Sequence, residues 1–149
     1  MNITPLFLTL VLLFMCGYLN AEEKPLVISH KDEALKWGPC PDFIPKGCEI
    51  AVLQGNPADN NLDIYFKVIG DFEIPHHLHT SQERMVLVSG TLDVKYDNHE
   101  KATINTGEYA YGPAKLPHSA YCHKGEACVL YIGFVGPLDA MPIKNTKNK

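Results

Sequence analysis

The chain has 149 residues, 46% hydrophobic and 20% charged, with a formal net charge of −4. That length fits one domain and argues against two independent cores. There is no Lys/Arg run beyond the sparse tail Lys144, Lys147 and Lys149, which argues against nucleic-acid binding.

Residues 1–21 carry no charged side chain, and Leu6 to Met15 is apolar apart from Thr9. The run is about ten residues, too short to span a bilayer comfortably. Gly17, Ala21 and then Glu22-Glu23 follow. The pattern predicts a secretory signal peptide cleaved after Ala21, and hence a secreted or periplasmic protein. Only the α-amino group supplies its positive charge, since no Lys or Arg precedes the run. A membrane anchor is the competing reading. No later segment is long and apolar enough for a transmembrane helix.

Residues 22–48 read as an N-terminal extension and loop. Asp32 to Lys36 is expected to make a helical turn, and Gly38 to Gly47 a Pro-rich loop. The texture then becomes β. Glu49 to Gln54 is a short apolar strand, and 55–61 is a turn by composition. Leu62 to Ile69 alternates, with Leu62, Ile64, Phe66 and Val68 on one face. Met85 to Ser89, Thr91 to Tyr96, Ala102 to Asn105, Glu108 to Gly112, Ser119 to His123 and Cys128 to Phe134 continue the series. About eight short strands at intervals of 8–12 residues predict an all-β antiparallel sandwich or barrel over 49–136. Residues 137–149 form a tail, expected to fray from Met141.

Without residues 1–21, four cysteines remain, and an even count in an exported chain favours disulfides. Cys122 and Cys128 flank what reads as a hairpin turn, and Cys40 and Cys48 bracket a Pro-containing loop. The expected pairs are Cys40–Cys48 and Cys122–Cys128, each worth about 2 kcal/mol. A thiolate metal site through Cys122, His123 and Cys128 is the rival, but its spacing matches no common zinc pattern.

Histidine placement carries the chemistry. His77 and His79 are two apart, so on a strand they share one face. Glu83 is close by, and His118 starts a distant strand after Pro117. Three imidazoles and a carboxylate make a compact cage for a divalent transition metal; Fe, Mn, Ni, Cu and Zn all suit it. His76 has the opposite parity and is expected to point away. His99 and His123 are expected at solvated turns. Tyr109, Tyr111 and Tyr121 are expected in the core or cavity wall.

Gly70 to Gly90 (GDFEIPHHLHTSQERMVLVSG) resembles the first motif of the cupin superfamily: a Gly, a His-x-His pair, a Glu four positions on and a Gly seven after it. Gly107 to His118 (GEYAYGPAKLPH) resembles the second: Gly, then Pro, then a His. The resemblance covers roughly 49–134 and is closest to small, single-domain, exported bacterial cupins. It implies a double-stranded β-helix or jelly-roll barrel, with His77, His79, Glu83 and His118 as metal ligands. The chain departs from the pattern in three places. Gly70 lies one residue further from His77 than usual, and Cys122 replaces a common Asn. Lys115 replaces a Gly, so the turn before His118 is expected to manage without a positive-φ residue.

The resemblance implies a metal-dependent enzyme on a small molecule, oxygenase-like or an isomerase, with Glu83 as ligand and base. The alternatives are a non-catalytic module that binds a metal or small ligand, and a barrel with a vestigial site. A homodimer is an expectation on family grounds alone.

Overall fold

The computed structural model describes residues 24–143, so the signal peptide expected over 1–21 lies outside the described residues, as does the end of the tail. Among the described residues there are eleven strands and no helix: β1 (Trp37–Pro39), β2 (Cys48–Gln54), β3 (Leu62–Val68), β4 (Phe72–Leu78), β5 (Glu83–Ser89), β6 (Thr91–Tyr96), β7 (Ala102–Asn105), β8 (Tyr109–Gly112), β9 (His118–Cys122), β10 (Cys128–Phe134) and β11 (Met141–Pro142). They form two antiparallel sheets, β1-β2-β3-β10-β5-β8 and β11-β4-β9-β6-β7. The all-β antiparallel expectation is met, and the two sheets make a jelly-roll barrel.

The alternation in β3 explains why its sheet has an inner face. Leu62, Ile64, Phe66 and Val68 are buried, while Asp63, Tyr65 and Lys67 are half-buried on the other side. Leu130, Ile132 and Phe134 of β10 extend that inner face. Phe72 and Ile74 of β4 and Leu92 and Val94 of β6 belong to the same core cluster from the second sheet. Each such side chain removed from water contributes about 1.5–3 kcal/mol.

Three strands depart from the expected series. β1 lies within the expected Pro-rich loop; it is an edge strand, where Pro39 needs no donor on its outer side. β4 lacks clean alternation because Pro75 interrupts it. Met141 and Pro142 are not frayed: they pair with Leu78 and His77, and the Ile143 N–H donates to the His76 carbonyl at 3.0 Å. Asp32 to Lys36 makes a single turn, with the Leu35 N–H on the Asp32 carbonyl at 3.2 Å, and no helix.

Both expected cysteine pairs are bonded. The expected hairpin between Cys122 and Cys128 is not there. Cys122 ends β9 in one sheet and Cys128 begins β10 in the other, so the bridge staples the two sheets together. Both cysteines are fully buried.

The turn before His118 corrects another expectation. Lys115 itself takes the left-handed conformation, with φ of 63°. Its N–H donates to the His79 carbonyl at 2.8 Å, and the Leu116 N–H donates to the Pro113 carbonyl at 3.3 Å. Those bonds hold a β-carbon where it is disfavoured by about 1–2 kcal/mol. Glycine relieves that strain but costs chain entropy. Lys115→Gly is therefore expected to raise stability by about 0.5–1 kcal/mol in urea unfolding. A destabilised variant would mean that the lysine side chain contributes more than its backbone costs.

Candidate metal centre

Strand parity aims the histidines, and a bulge resets it. Phe72 and Ile74 face the core from β4. Continued alternation would turn His76 inward. Pro75 has no N–H for the ladder, and the pairing of β4 with β9 shifts register between Ile74 and His77. After the shift His77 and His79 face inward and are buried. His76 points away, its Nε2 3.0 Å from Asp97 Oδ1.

His118 opens β9 directly opposite His77 on one side and Tyr96 on the other. Tyr96, His118 and His77 thus form a row across one sheet. Glu83 comes from the other sheet, inward by parity with Met85 and Leu87 of β5.

The three imidazoles share one arrangement. Each Nδ1 is against a backbone carbonyl: His77 on Pro75 at 2.6 Å, His118 on Leu116 at 3.2 Å, and His79 on Asp139. A carbonyl only accepts, so Nδ1 carries the proton in each ring. This hydrogen-bond assignment leaves every Nε2 as a bare lone pair. The Nε2 atoms of His77 and His79 stand 3.1 Å apart. Two neutral acceptors that close repel unless a cation or proton lies between them. Nitrogens each about 2.1 Å from one ion stand about 3.0–3.4 Å apart at right-angled to tetrahedral geometry. The donor set therefore fits a divalent metal.

His77, His79 and His118 can each offer one donor atom, all within 4.8 Å of one another. Glu83 Oε1 is 3.4 Å from His79 Nε2, and Oε2 is 3.7 Å from His118 Nε2. The Asp139 carboxylate takes the Thr80 N–H at 2.9 Å and the Thr80 hydroxyl at 2.5 Å. That clasp holds the carbonyl on which His79 rests, as a supporting residue does around a metal ligand.

Electrostatics agree on a neutral cluster. Burial pushes His77 down to about 4 and His118 to about 3, and it lowers His79 as well. Burial, and then the Asp139 charge, push the Glu83 carboxyl up to about 8. Taking charge out of water dominates every shift.

The cluster lines one cavity of about 340 Å³. Its walls are apolar, among them Ile64, Phe66, Leu92, Ile104 and Ile132. Tyr109, Tyr111 and Tyr121, expected in core or wall, are exposed instead. On β8, Ala110 and Gly112 take the inward parity, so Tyr109 and Tyr111 turn out. Tyr121 lies outward on β9 and donates to Asp71 at 2.6 Å. The tyrosine that does line the cavity is Tyr96, whose shared parity with Leu92 and Val94 was legible in the sequence. His99 and His123 are exposed, as expected, and His123 also pairs with Asp93 at 3.1 Å.

Comparison with known proteins agrees with this architecture. A family model for the cupin domain matches residues 67–134. No curated protein matches the chain. Among solved structures, the polyketide cyclase RemF from Streptomyces resistomycificus is 18% identical with a TM-score of 0.64, over 83% of this chain and 89% of that one. The DMSP lyase DddQ from Ruegeria pomeroyi DSS-3 is 13% identical with a TM-score of 0.62, over 77% of this chain and 64% of that one. The chain thus spans less than two thirds of that lyase. Bacillus subtilis oxalate decarboxylase, studied for its Mn(II) centres, is 15% identical with a TM-score of 0.59, over 74% of this chain and 30% of that one. At these identities the likeness is one of fold. Together with the family match and the two-sheet barrel described above, it shows that residues 67–134 form a cupin domain.

Proposed function

We propose that the chain is an exported, metal-dependent enzyme acting on a small molecule, oxygenase-like in its chemistry. The convergence of three Nε2 atoms, each backed by a carbonyl on Nδ1, carries the reading. His77, His79 and His118 would hold a divalent transition metal, with Glu83 as the fourth ligand. When bound, such a metal supplies Lewis acidity and an open position for an oxygen donor. The chain's own residues orient the ligands, exclude water through the apolar walls and keep the site neutral. Glu83 is the group here that can take up a proton as well as ligate. Export is supported by the two disulfides together with the expected signal sequence. The related structures include enzymes of several classes, so the substrate stays open within small molecules.

A second reading, a binding module without turnover, draws on one observation. Besides the histidines, the titratable side chains lining the cavity among the described residues are Glu83, Tyr96 and Asp139. If Glu83 is committed as a ligand, few groups remain to move protons. A bound metal without exchangeable water would favour this reading.

The protein purified untagged from its own exported compartment is expected to carry about one metal per chain by elemental analysis. His77→Ala should lose the metal and keep the β-rich circular dichroism spectrum. Oxygen consumption by the iron-, nickel- or copper-loaded protein against enolic and phenolic compounds tests turnover. Silence with every metal across the panel would remove the oxygenase reading and leave the binding module.

Metal uptake should also release protons in a defined pH window. With its carboxyl raised to about 8, Glu83 is protonated at pH 7 and must lose that proton to ligate. His77 and His118, lowered to about 4 and about 3, are already neutral there. Titration of the metal-free protein with Mn(II), in buffers of different ionisation heat, should show about one proton released at pH 7. Release should fade above pH 8. Below that, affinity should drop up to about tenfold per pH unit, as protons compete for Glu83. Glu83→Gln should release none at pH 7; release unchanged in that variant would assign the proton elsewhere.

A further inference from the structure

Tyr96 has no part in the scheme so far, yet its position is unusual. It ends β6 on the inward face shared with Leu92 and Val94. Its ring lies against His118, centroids 5.0 Å apart, and it lines the cavity. Its hydroxyl is the one buried side-chain oxygen or nitrogen among the described residues with no hydrogen-bond partner. An unsatisfied buried hydroxyl costs about 1–3 kcal/mol.

Gly112 on the neighbouring β8 locates that hydroxyl. A β-carbon there would meet Tyr96 Oη at 2.9 Å and Glu83 Oε2 at 3.0 Å. The phenol and the carboxyl therefore flank a single point beside the histidine cluster. The rest of the cavity wall offers a ligand little polarity. Among the described residues no Lys or Arg lines it, and the Asp139 carboxylate is already held by Thr80.

We propose that Tyr96 is a ligand-binding residue whose O–H donates to an oxygen acceptor on a predominantly apolar, uncharged small molecule held in this cavity. The proposal rests on the reading of the cavity as the functional site, but not on the metal. The apolar walls take the body of the ligand by burial, which discriminates weakly between apolar shapes. The phenol selects for the acceptor, because a ligand lacking one leaves the hydroxyl unpaired. A site built to hydrogen-bond one group rejects an isostere without it far better than an apolar pocket rejects a methylene. A cavity of about 340 Å³ falls at the small end of the range for such ligands, about 300–1,000 Å³.

Acetophenone and α-methylstyrene have the same shape and differ in carrying C=O or C=CH2. Their binding to the full chain is measured by NMR titration, with the metal stripped by chelator and again after Mn(II) loading. In the stripped wild-type protein the ketone should bind roughly tenfold tighter than the alkene. Tyr96→Phe should lose most of that preference by weakening ketone binding, with alkene binding kept. The variant should melt at the same or a higher temperature, since it removes an unpaired buried group; a purely structural tyrosine would lower it. An unchanged preference in Tyr96→Phe overturns the assignment, and so does failure of the wild type to bind either probe. If the wild type takes up no Mn(II) but the stripped protein shows the Tyr96 effect, the metal reading falls and this one stands.

Discussion

One break in strand parity decides what this barrel can hold. Up to Ile74 the inner face of β4 is hydrocarbon. Pro75 cannot donate to the neighbouring strand, and the register with β9 slips there. The slip turns two imidazoles inward where simple alternation would have brought one, His76. It also places His77 directly opposite His118. The same proline lends its carbonyl to His77 Nδ1, which fixes the tautomer that leaves Nε2 free. Backbone geometry and side-chain chemistry at this corner are thus set by one residue.

The rest of the centre follows from placing polar groups in an apolar barrel. Four titratable side chains are buried together, and each shift is in the direction that keeps it neutral. Such a cluster is costly unless its lone pairs find partners. The three imidazoles donate their Nδ1–H to carbonyls and leave the Nε2 lone pairs bare. The backbone carbonyls of Pro75 within β4, Leu116 before β9 and Asp139 before β11 come from three separate segments, so the cluster depends on the closed barrel rather than on one segment. Asp139 reaches His79 from sixty residues away, on the segment that continues into β11. The C-terminal strand therefore supports the site, although it adds no ligand to it.

The strands with clean alternation were legible in the sequence, and β3 is the clearest case. What escaped were elements whose stability is borrowed. β1 and β11 are two to three residues long and exist because an existing strand pairs with them. β4 is obscured by its own proline and histidines. The histidines and Glu83 were legible as a constellation because their spacing is unusual, but the bulge that aims them leaves only a proline as its trace. The tyrosines show the limit of composition as a guide. Tyr109, Tyr111 and Tyr121 are expected in the core or cavity wall yet face out, while the parity of TLDVKY turns Tyr96 inward. At Lys115 the sequence signalled a missing glycine, yet the backbone keeps the left-handed turn, since two hydrogen bonds outweigh the strain.

The bridge between Cys122 and Cys128 bears on how the chain reaches this shape in time. Partners such as β3 with β10, or β4 with β9, lie far apart in sequence, and nonlocal pairing of that kind makes barrels slow to form. The two cysteines are six residues apart and sit in opposite sheets. Once oxidised they fix the corner where β9 hands over to β10. A local covalent link thereby holds β9, which carries His118, against β10, an interior strand of the other sheet. Production in a reducing cytosol would deprive the nascent chain of that corner, leaving strand edges exposed for longer and favouring aggregation over assembly.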